Sequence, residues 1–251
     1  YNNMGNSLQE QGKLEEAIEA YNEALVIKPE FSDAYFNKGT ALHAQCKPEE
    51  AIASYKKALA IKPDYGKAKH MLSSLMGKTT NSAPLEYVEN LFDGYANKFD
   101  SSLVGKLEYN IPKMLTQIIF KEQPNVSFGS VLDLGCGTGL TGLEIKRFCA
   151  ELHGIDLSSS MLEQARLKNV YDKLTHIDIV EYLSGSELDF DYFISTDVFN
   201  YFGQLSEVFH LIKSRNKQSG KLIFSTEHTD GYGFRLEKSG RYSHSIGYIE
   251  S

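Results

Sequence analysis

The stretch Val131-Leu132-Asp133-Leu134-Gly135-Cys136-Gly137-Thr138-Gly139 decides the fold. Residues 131–134 read as a buried strand that stops abruptly at alternating glycines, and the apolar spacing of Leu140, Leu143, Ile145 and Phe148 predicts a helix over 140–150. Glycines let the backbone turn sharply and keep a Cβ out of a ligand's way. The helix beyond them aims unpaired N–H groups and a partial positive charge at the same spot. Strand, turn and helix start together form a place to hold a carboxylate, a phosphate or a hydroxyl-rich cofactor.

Downstream the pattern keeps alternating. Strands are expected at 151–156, 174–178, 190–196 and 221–225, and helices at 159–169, 180–183 and 205–213. Such alternation implies an α/β domain with a mainly parallel sheet and helices on both faces, whose ligands bind beyond the carboxyl ends of the strands. Upstream, Leu85, Val88, Phe92, Tyr95 and Phe99 lie at helical spacing, and a second helical stretch spans 101–122 with Pro112 dividing it. Both stretches are placed to lie over the glycine turn.

The first part of the chain contains a repeat. Tyr1, Met4, Gly5, Leu8, Gly12, Ala17, Tyr21, Ala24 and Pro29 are answered about 34 residues later by Tyr35, Lys38, Gly39, Leu42, Cys46, Ala51, Tyr55, Ala58 and Pro63. That period and order resemble the tetratricopeptide repeat over residues 1–63. Small residues let two antiparallel helices approach, tyrosines fill the gaps, and the prolines stop each second helix. A further helix at 64–76 caps the stack, and Gly77 ends it. The expected organisation is all-α repeats at 1–76, a linker at 77–84, and an α/β Rossmann-like domain at 85–251 with a helical extension at 85–122.

With 251 residues the chain has room for two modest domains, and its formal net charge of −7 argues against a general grip on nucleic acid. The three cysteines, Cys46, Cys136 and Cys149, show neither zinc spacing nor an even count for a disulfide framework, so a reducing, cytoplasmic compartment is expected. No apolar run has the length of a membrane span or the form of a signal peptide. The chain begins inside a motif, so its true N-terminus is expected further upstream.

Two cofactor classes use the strand-turn-helix arrangement. Read from Gly137, the string Gly137-Thr138-Gly139-Leu140-Thr141-Gly142 satisfies the dinucleotide fingerprint, but that fingerprint wants its first glycine immediately after the strand, where Gly135 stands. Read from Gly135, with Asp133 in the strand before it, the turn resembles the first motif of the Rossmann-like (class I) S-adenosylmethionine-dependent methyltransferases. The resemblance covers about residues 85–251. It implies S-adenosyl-L-methionine as cofactor, S-adenosyl-L-homocysteine as product and no metal, with Tyr95, Asp133, Gly135, Cys136, Gly137, Gly139, Asp156, Leu157, Met161, Asp178, Ile179, Thr196 and Asp197 at the cofactor.

In that frame Asp156, closing the second strand, accepts the ribose hydroxyls, although an NAD enzyme also places an acid there. Asp178 meets the adenine amino group and the following N–H of Ile179 a ring nitrogen. Other roles stand beside these: Asp133 as a brace for the glycine turn, Asp156 and Asp178 as helix caps, and Cys136 as a small spacer. An NAD-dependent oxidoreductase, or an adaptor whose repeats bind a partner beside a silent Rossmann-like domain, are the alternative functions.

Methyl transfer needs alignment, aromatic faces near a sulfonium, and a base when the acceptor carries a proton. Tyr95, Phe99 and Tyr201 are the aromatic candidates, His244 and Tyr201 the catalytic ones, and Asn200, Tyr201, Arg241, Tyr242 and His244 the substrate-binding set. The last three sit in a polar stretch that reads as a surface loop, with Gly231 and Gly233 upstream suggesting a mobile flap. The repeats imply a protein or peptide partner. Methyltransferases of this class close their sheet with two further strands, so the resemblance implies a C-terminally incomplete domain.

Overall fold

The structure is a computed structural model that describes residues 1–106, 109–122, 127–185, 187–217 and 219–251. It divides into two units, Tyr1–Thr80 with Leu236–Arg241, and Asn81–Arg235 with Tyr242–Ser251. The break after Thr80 falls within the expected 77–84 linker.

In the first unit the repeats form α1 (Asn2–Glu10), α2 (Leu14–Ile27), α3 (Ser32–Ala44) and α4 (Pro48–Ile61), followed by α5 (Gly66–Leu75). α2 and α4 each end two residues before a proline, as the clash between proline and a preceding helical residue requires. A Cβ on Gly5 would lie 2.5 Å from the Tyr21 ring, and one on Gly39 2.7 Å from the Tyr55 ring. Each glycine thus seats a fully buried tyrosine between its two helices. α5 closes with two hydrogen bonds, Lys78 N–H to Ser73 O (2.9 Å) and Gly77 N–H to Ser74 O (3.3 Å), with Gly77 left-handed. That is the Schellman arrangement.

Leu236–Arg241 was expected in the second domain, yet it belongs to this unit. Gly240 O accepts from His70 Nε2–H (2.8 Å), Leu236 N–H donates to Thr79 Oγ1 (3.3 Å), and Leu236 is buried. Distant segments that satisfy buried polar groups leave no local pattern, and this one was therefore invisible in the sequence.

In the second unit α6 (Leu85–Lys106) and α7 (Ile111–Glu122) precede β1 (Gly129–Leu134). The expected division at Pro112 is displaced: Pro112 sits in the first turn of α7, where its missing N–H costs nothing. Leu107 and Glu108, between the two helices in sequence, lie outside the described residues. α8 (Leu140–Ile145) is shorter than expected, tightening to a 3-10 turn at Lys146–Phe148, so Cys149 and Ala150 already belong to β2 (Cys149–Asp156). The Phe148 carbonyl is taken by Phe128 N–H (3.0 Å), and the two rings pack together with Phe120. α9 (Ser159–Lys168), β3 (Lys173–His176), α10 (Ile179–Gly185), β4 (Tyr192–Ser195), α11 (Ser206–Arg215) and β5 (Lys221–Phe224) follow.

The five strands pair in the order β3-β2-β1-β4-β5, all parallel. Both faces are covered: Leu132 and Leu134 point into one apolar cluster, Val131 into the other. Asp133, two residues from Val131, shares its face and is completely buried. The strand order reverses between β1 and β4, which opens the crevice at their carboxyl ends. Beyond β5 lie β6 (Glu227–His228), β7 (Phe234–Leu236), β8 (Tyr242–His244) and the one-turn α12 (Ile246–Ile249), the three strands ordered β6-β8-β7.

Candidate functional site

The glycines of the turn have separate tasks. Gly135, Gly137 and Gly139 all adopt positive φ (71°, 54° and 89°), a region that side chains rarely enter. A Cβ on Gly135 would strike Val198 at 2.5 Å, so this glycine lets β1 and the segment after β4 meet at the switch point. A Cβ on Gly137 would meet no described atom within 4 Å. A Cβ on Gly139, Gly142 or Gly154 would meet the Tyr171 ring at 3.1, 2.6 and 2.9 Å. Gly142, the residue that completed the dinucleotide fingerprint, therefore makes room for a tyrosine of this chain.

Three acids sit at strand ends. The Asp156 carboxylate accepts from Gly137 N–H and Ser158 N–H (both 2.8 Å), tying the second strand end to the turn; burial raises its pKa while these two bonds pull the other way. Asp133 accepts from the Tyr171 hydroxyl through Oδ2 (2.7 Å), and its Oδ1 is buried with no hydrogen-bond partner among the described residues. The brace role expected of Asp133 is replaced by this tyrosine pairing. Burial pushes its carboxyl up to about 7, opposed by the Tyr171 bond and aided by Asp156. Asp178 lies just past β3 and caps α10, its Oδ1 accepting from Glu181 N–H (3.0 Å). Ile179 opens that helix, where an N–H lacks an intrahelical acceptor, while its side chain joins the core.

α6 lies over this turn through a polar stripe absent from the sequence expectations. Asp93 accepts from Ser158 Oγ (2.6 Å) and Ser160 N–H (3.2 Å), Asn97 accepts from Gln164, and Asp100 accepts from Thr138 Oγ1 and from Lys168 Nζ (2.6 Å). Lys168 also donates to Thr138 O (2.6 Å). The spacing of 93, 97 and 100 marks one helix face, but nothing local identifies its partners. On the neighbouring stripe Phe92 packs edge-on against Tyr201 (5.3 Å) and near Phe99 (6.3 Å), and Tyr95 against Phe99 (5.6 Å). The structure thus gathers Tyr95, Phe99 and Tyr201, and adds Phe92.

Other candidates are placed differently. Cys136 is buried, its thiol pushed well above the usual range by burial and by Asp156 and Asp133, so it is a neutral spacer. Met161 is fully buried and Leu157 half-buried, the latter's carbonyl accepting from His176 Nε2–H (2.7 Å). The Thr196 hydroxyl meets that of Thr141 (2.7 Å), both buried. Asp197 holds φ of 61° directly after β4, a strained conformation of the kind found at functional sites.

The surface-loop expectation for 242–244 is corrected, since Tyr242, Ser243 and His244 are all buried in β8. His244 Nδ1 accepts from Thr226 Oγ1 (2.6 Å) and Nε2–H donates to Gly203 O (2.9 Å), while burial lowers its pKa against the opposing pull of backbone carbonyls. Neither nitrogen is left to act as a base. Asn200 is likewise buried, donating to Asp197 Oδ1 (2.7 Å) and accepting from Glu227 N–H (3.2 Å), so it braces the segment after β4. Arg241 belongs to the first unit. Tyr201 is the member of the substrate set that stands with the α6 aromatics.

A parallel sheet with a glycine turn at its switch point and an acid at the neighbouring strand end defines a nucleoside-binding Rossmann-like domain. Comparison with known proteins narrows the class: the methyltransferase domain family matches residues 131–220, and tetratricopeptide repeat families match 5–45 and 32–65. The chain therefore carries tetratricopeptide repeats followed by a methyltransferase domain. A malonyl-[acyl-carrier protein] O-methyltransferase of Priestia megaterium is 30% identical over 166 residues, covering 64% of this chain and 57% of that protein. An uncharacterized protein of Haemophilus influenzae is 35% identical over 140 residues, 50% of this chain and 54% of its own length. The chain thus spans little more than half the length of these relatives. The magnesium protoporphyrin IX methyltransferase of Synechocystis PCC 6803, solved with bound S-adenosylmethionine, shares the fold with a TM-score of 0.52 at 16% identity, over 68% of this chain and 85% of that one.

Proposed function

We propose that this chain is an S-adenosylmethionine-dependent methyltransferase whose repeats dock a protein or peptide partner. The observation that carries the reading is the pairing of open space at Gly137 with a buried oxygen on Asp133 that has no partner among the described residues. A buried polar atom without a partner is costly, and a ligand ammonium brought to the turn would supply what Oδ1 lacks. Asp156 takes the ribose hydroxyls. Asp178 and the Ile179 N–H face the adenine, while Thr196 and Asp197 border the methionine part.

When bound, S-adenosylmethionine supplies a sulfonium methyl for in-line displacement. The protein's part is alignment: α6 closes the turn, and Phe92, Tyr95, Phe99 and Tyr201 present aromatic faces that attract a cation. The O-methyl relative favours an oxygen acceptor. With His244 engaged at both nitrogens, an oxygen that is already ionised, such as a carboxylate, suits the site best.

Calorimetric titration with S-adenosylhomocysteine and with NAD tests this reading. Binding of the first alone is expected. Binding of NAD alone would turn the reading to an oxidoreductase, and binding of neither to an adaptor. Asp156→Ala should weaken S-adenosylhomocysteine binding by about 1.5–3 kcal/mol, the range for hydrogen bonds to a charged group.

A further inference from the structure

Tyr171 joins two observations that the cofactor motif leaves unexplained. Its ring fills the space that Gly139, Gly142 and Gly154 leave open, and its hydroxyl donates to Asp133 Oδ2 at 2.7 Å. The ring is thereby locked between the turn, α8 and β2, and the hydroxyl has a fixed position. One carboxylate oxygen is consumed by this bond, and the other, Oδ1, is buried and has no partner among the described residues.

We propose that Tyr171 is the positioning residue of the cofactor site, orienting Asp133 so that Oδ1 is left to receive a cationic group of the ligand. This rests on the cofactor reading above. Two opposing demands make such a residue necessary. Burial drives Asp133 toward its neutral form, which holds an ammonium poorly, and the hydrogen bond donated by Tyr171 favours the charge.

Besides Tyr171, the titratable groups facing Asp133 are Asp156 and Cys149 of β2 and Cys136 of the turn. β4 opposes it with the apolar Ile194. Asp156 raises the Asp133 carboxyl further. Tyr171 itself is held well above its ordinary pKa by burial and by Asp133, so it stays a donor throughout the accessible range.

The test compares wild type with Tyr171→Phe, which keeps the ring that fills the glycine gap and removes only the hydroxyl. In the ligand-free protein, the Asp133 carboxyl followed by carbon-13 NMR should titrate near neutral pH in wild type and about one to two pH units higher in the variant, the loss of one hydrogen bond to a charged group. Calorimetry with S-adenosylhomocysteine should show affinity rising with pH and levelling off above the wild-type midpoint. In Tyr171→Phe the levelling point should move up, with affinity about 10-fold weaker at pH 7.

5′-Methylthioadenosine, which lacks the ammonium, should bind both proteins with no such pH dependence. An unchanged Asp133 midpoint in the variant overturns the proposal, as does a methylthioadenosine profile identical to that of S-adenosylhomocysteine. If wild type binds neither compound, the cofactor reading fails while the NMR comparison still decides whether Tyr171 governs Asp133.

Discussion

The two units use glycine in opposite ways. In the repeats, Gly5 and Gly39 do one job twice, each seating a tyrosine ring, and the turns after α1 and α3 are likewise the same structure repeated. Gly12 and Cys46 both take positive φ there (77° and 60°), with matching hydrogen bonds from Lys13 N–H to Leu8 O (2.9 Å) and from Lys47 N–H to Leu42 O (3.0 Å). In the turn after β1, three successive glycines face Val198, open space and Tyr171. Contacts in a repeat are local and recur, so periodicity reveals them; contacts at a sheet's switch point come from distant segments and differ at each residue.

The largest expected effect concerns Asp133, the carboxyl of β1 that is completely buried. Its folded-state carboxyl, at about 7, lies above the unfolded value. The folded state therefore binds the extra proton, and stability falls as pH rises from the unfolded pKa toward 7, by up to about 4 kcal/mol. Asp133→Asn should abolish that decline. Urea unfolding at pH 5 and pH 8 measures it, and equal slopes in both proteins would show that the burial is not felt as charge.

Gly137→Ala comes next. With nothing near the added methyl, the fold should bear only the cost of a left-handed alanine, about 1–2 kcal/mol, while S-adenosylhomocysteine binding should drop about 100-fold, roughly 2.7 kcal/mol. A fall in stability with binding retained would give Gly137 the same kind of task as Gly139, and erase the contrast drawn within the turn.

Gly39→Ala pushes a methyl into the rigid, buried Tyr55 ring and should cost about 1–3 kcal/mol of stability. Gly5→Ala should cost a similar amount through Tyr21. Thermal unfolding of the two variants tests the equivalence: a large difference between them would mean the repeats are not energetically alike. The smallest effect is at Cys46, which occupies a left-handed position that its counterpart fills with glycine. Cys46→Gly should gain about 0.5–1 kcal/mol, relief of the left-handed strain less the entropy glycine adds to the unfolded chain. A loss on denaturant unfolding would show that the thiol contributes packing.

Much of this was legible beforehand. The repeat boundaries followed from Pro29, Pro63 and Gly77, whose effects on the backbone are local. Strand and helix order followed from hydrophobic period, and the expected frame starting at Gly135 agrees with the methyltransferase domain match. Boundaries shifted where packing overrode pattern, as at Cys149, which reads as helix but joins β2 because Phe148 is anchored beneath the sheet. The polar look of 239–245 was misleading: Ser243 and His244 are polar residues with internal partners, and a sequence does not distinguish a satisfied buried histidine from an exposed one.

By itself, the sequence determined a stack of helical repeats, a parallel α/β domain and a nucleoside-type turn with acids at the strand ends, because periodicity, proline, glycine and capping act over a few residues. Only the tertiary structure decided which glycine faces open space and which makes room for Tyr171. It alone placed Leu236–Arg241 with the repeats, set Asp93 and Asp100 against the turn, and closed His244 off from chemistry. Each of these depends on hydrogen bonds or ring contacts between residues far apart in the chain, and such pairings acquire meaning only once folding has brought the partners together.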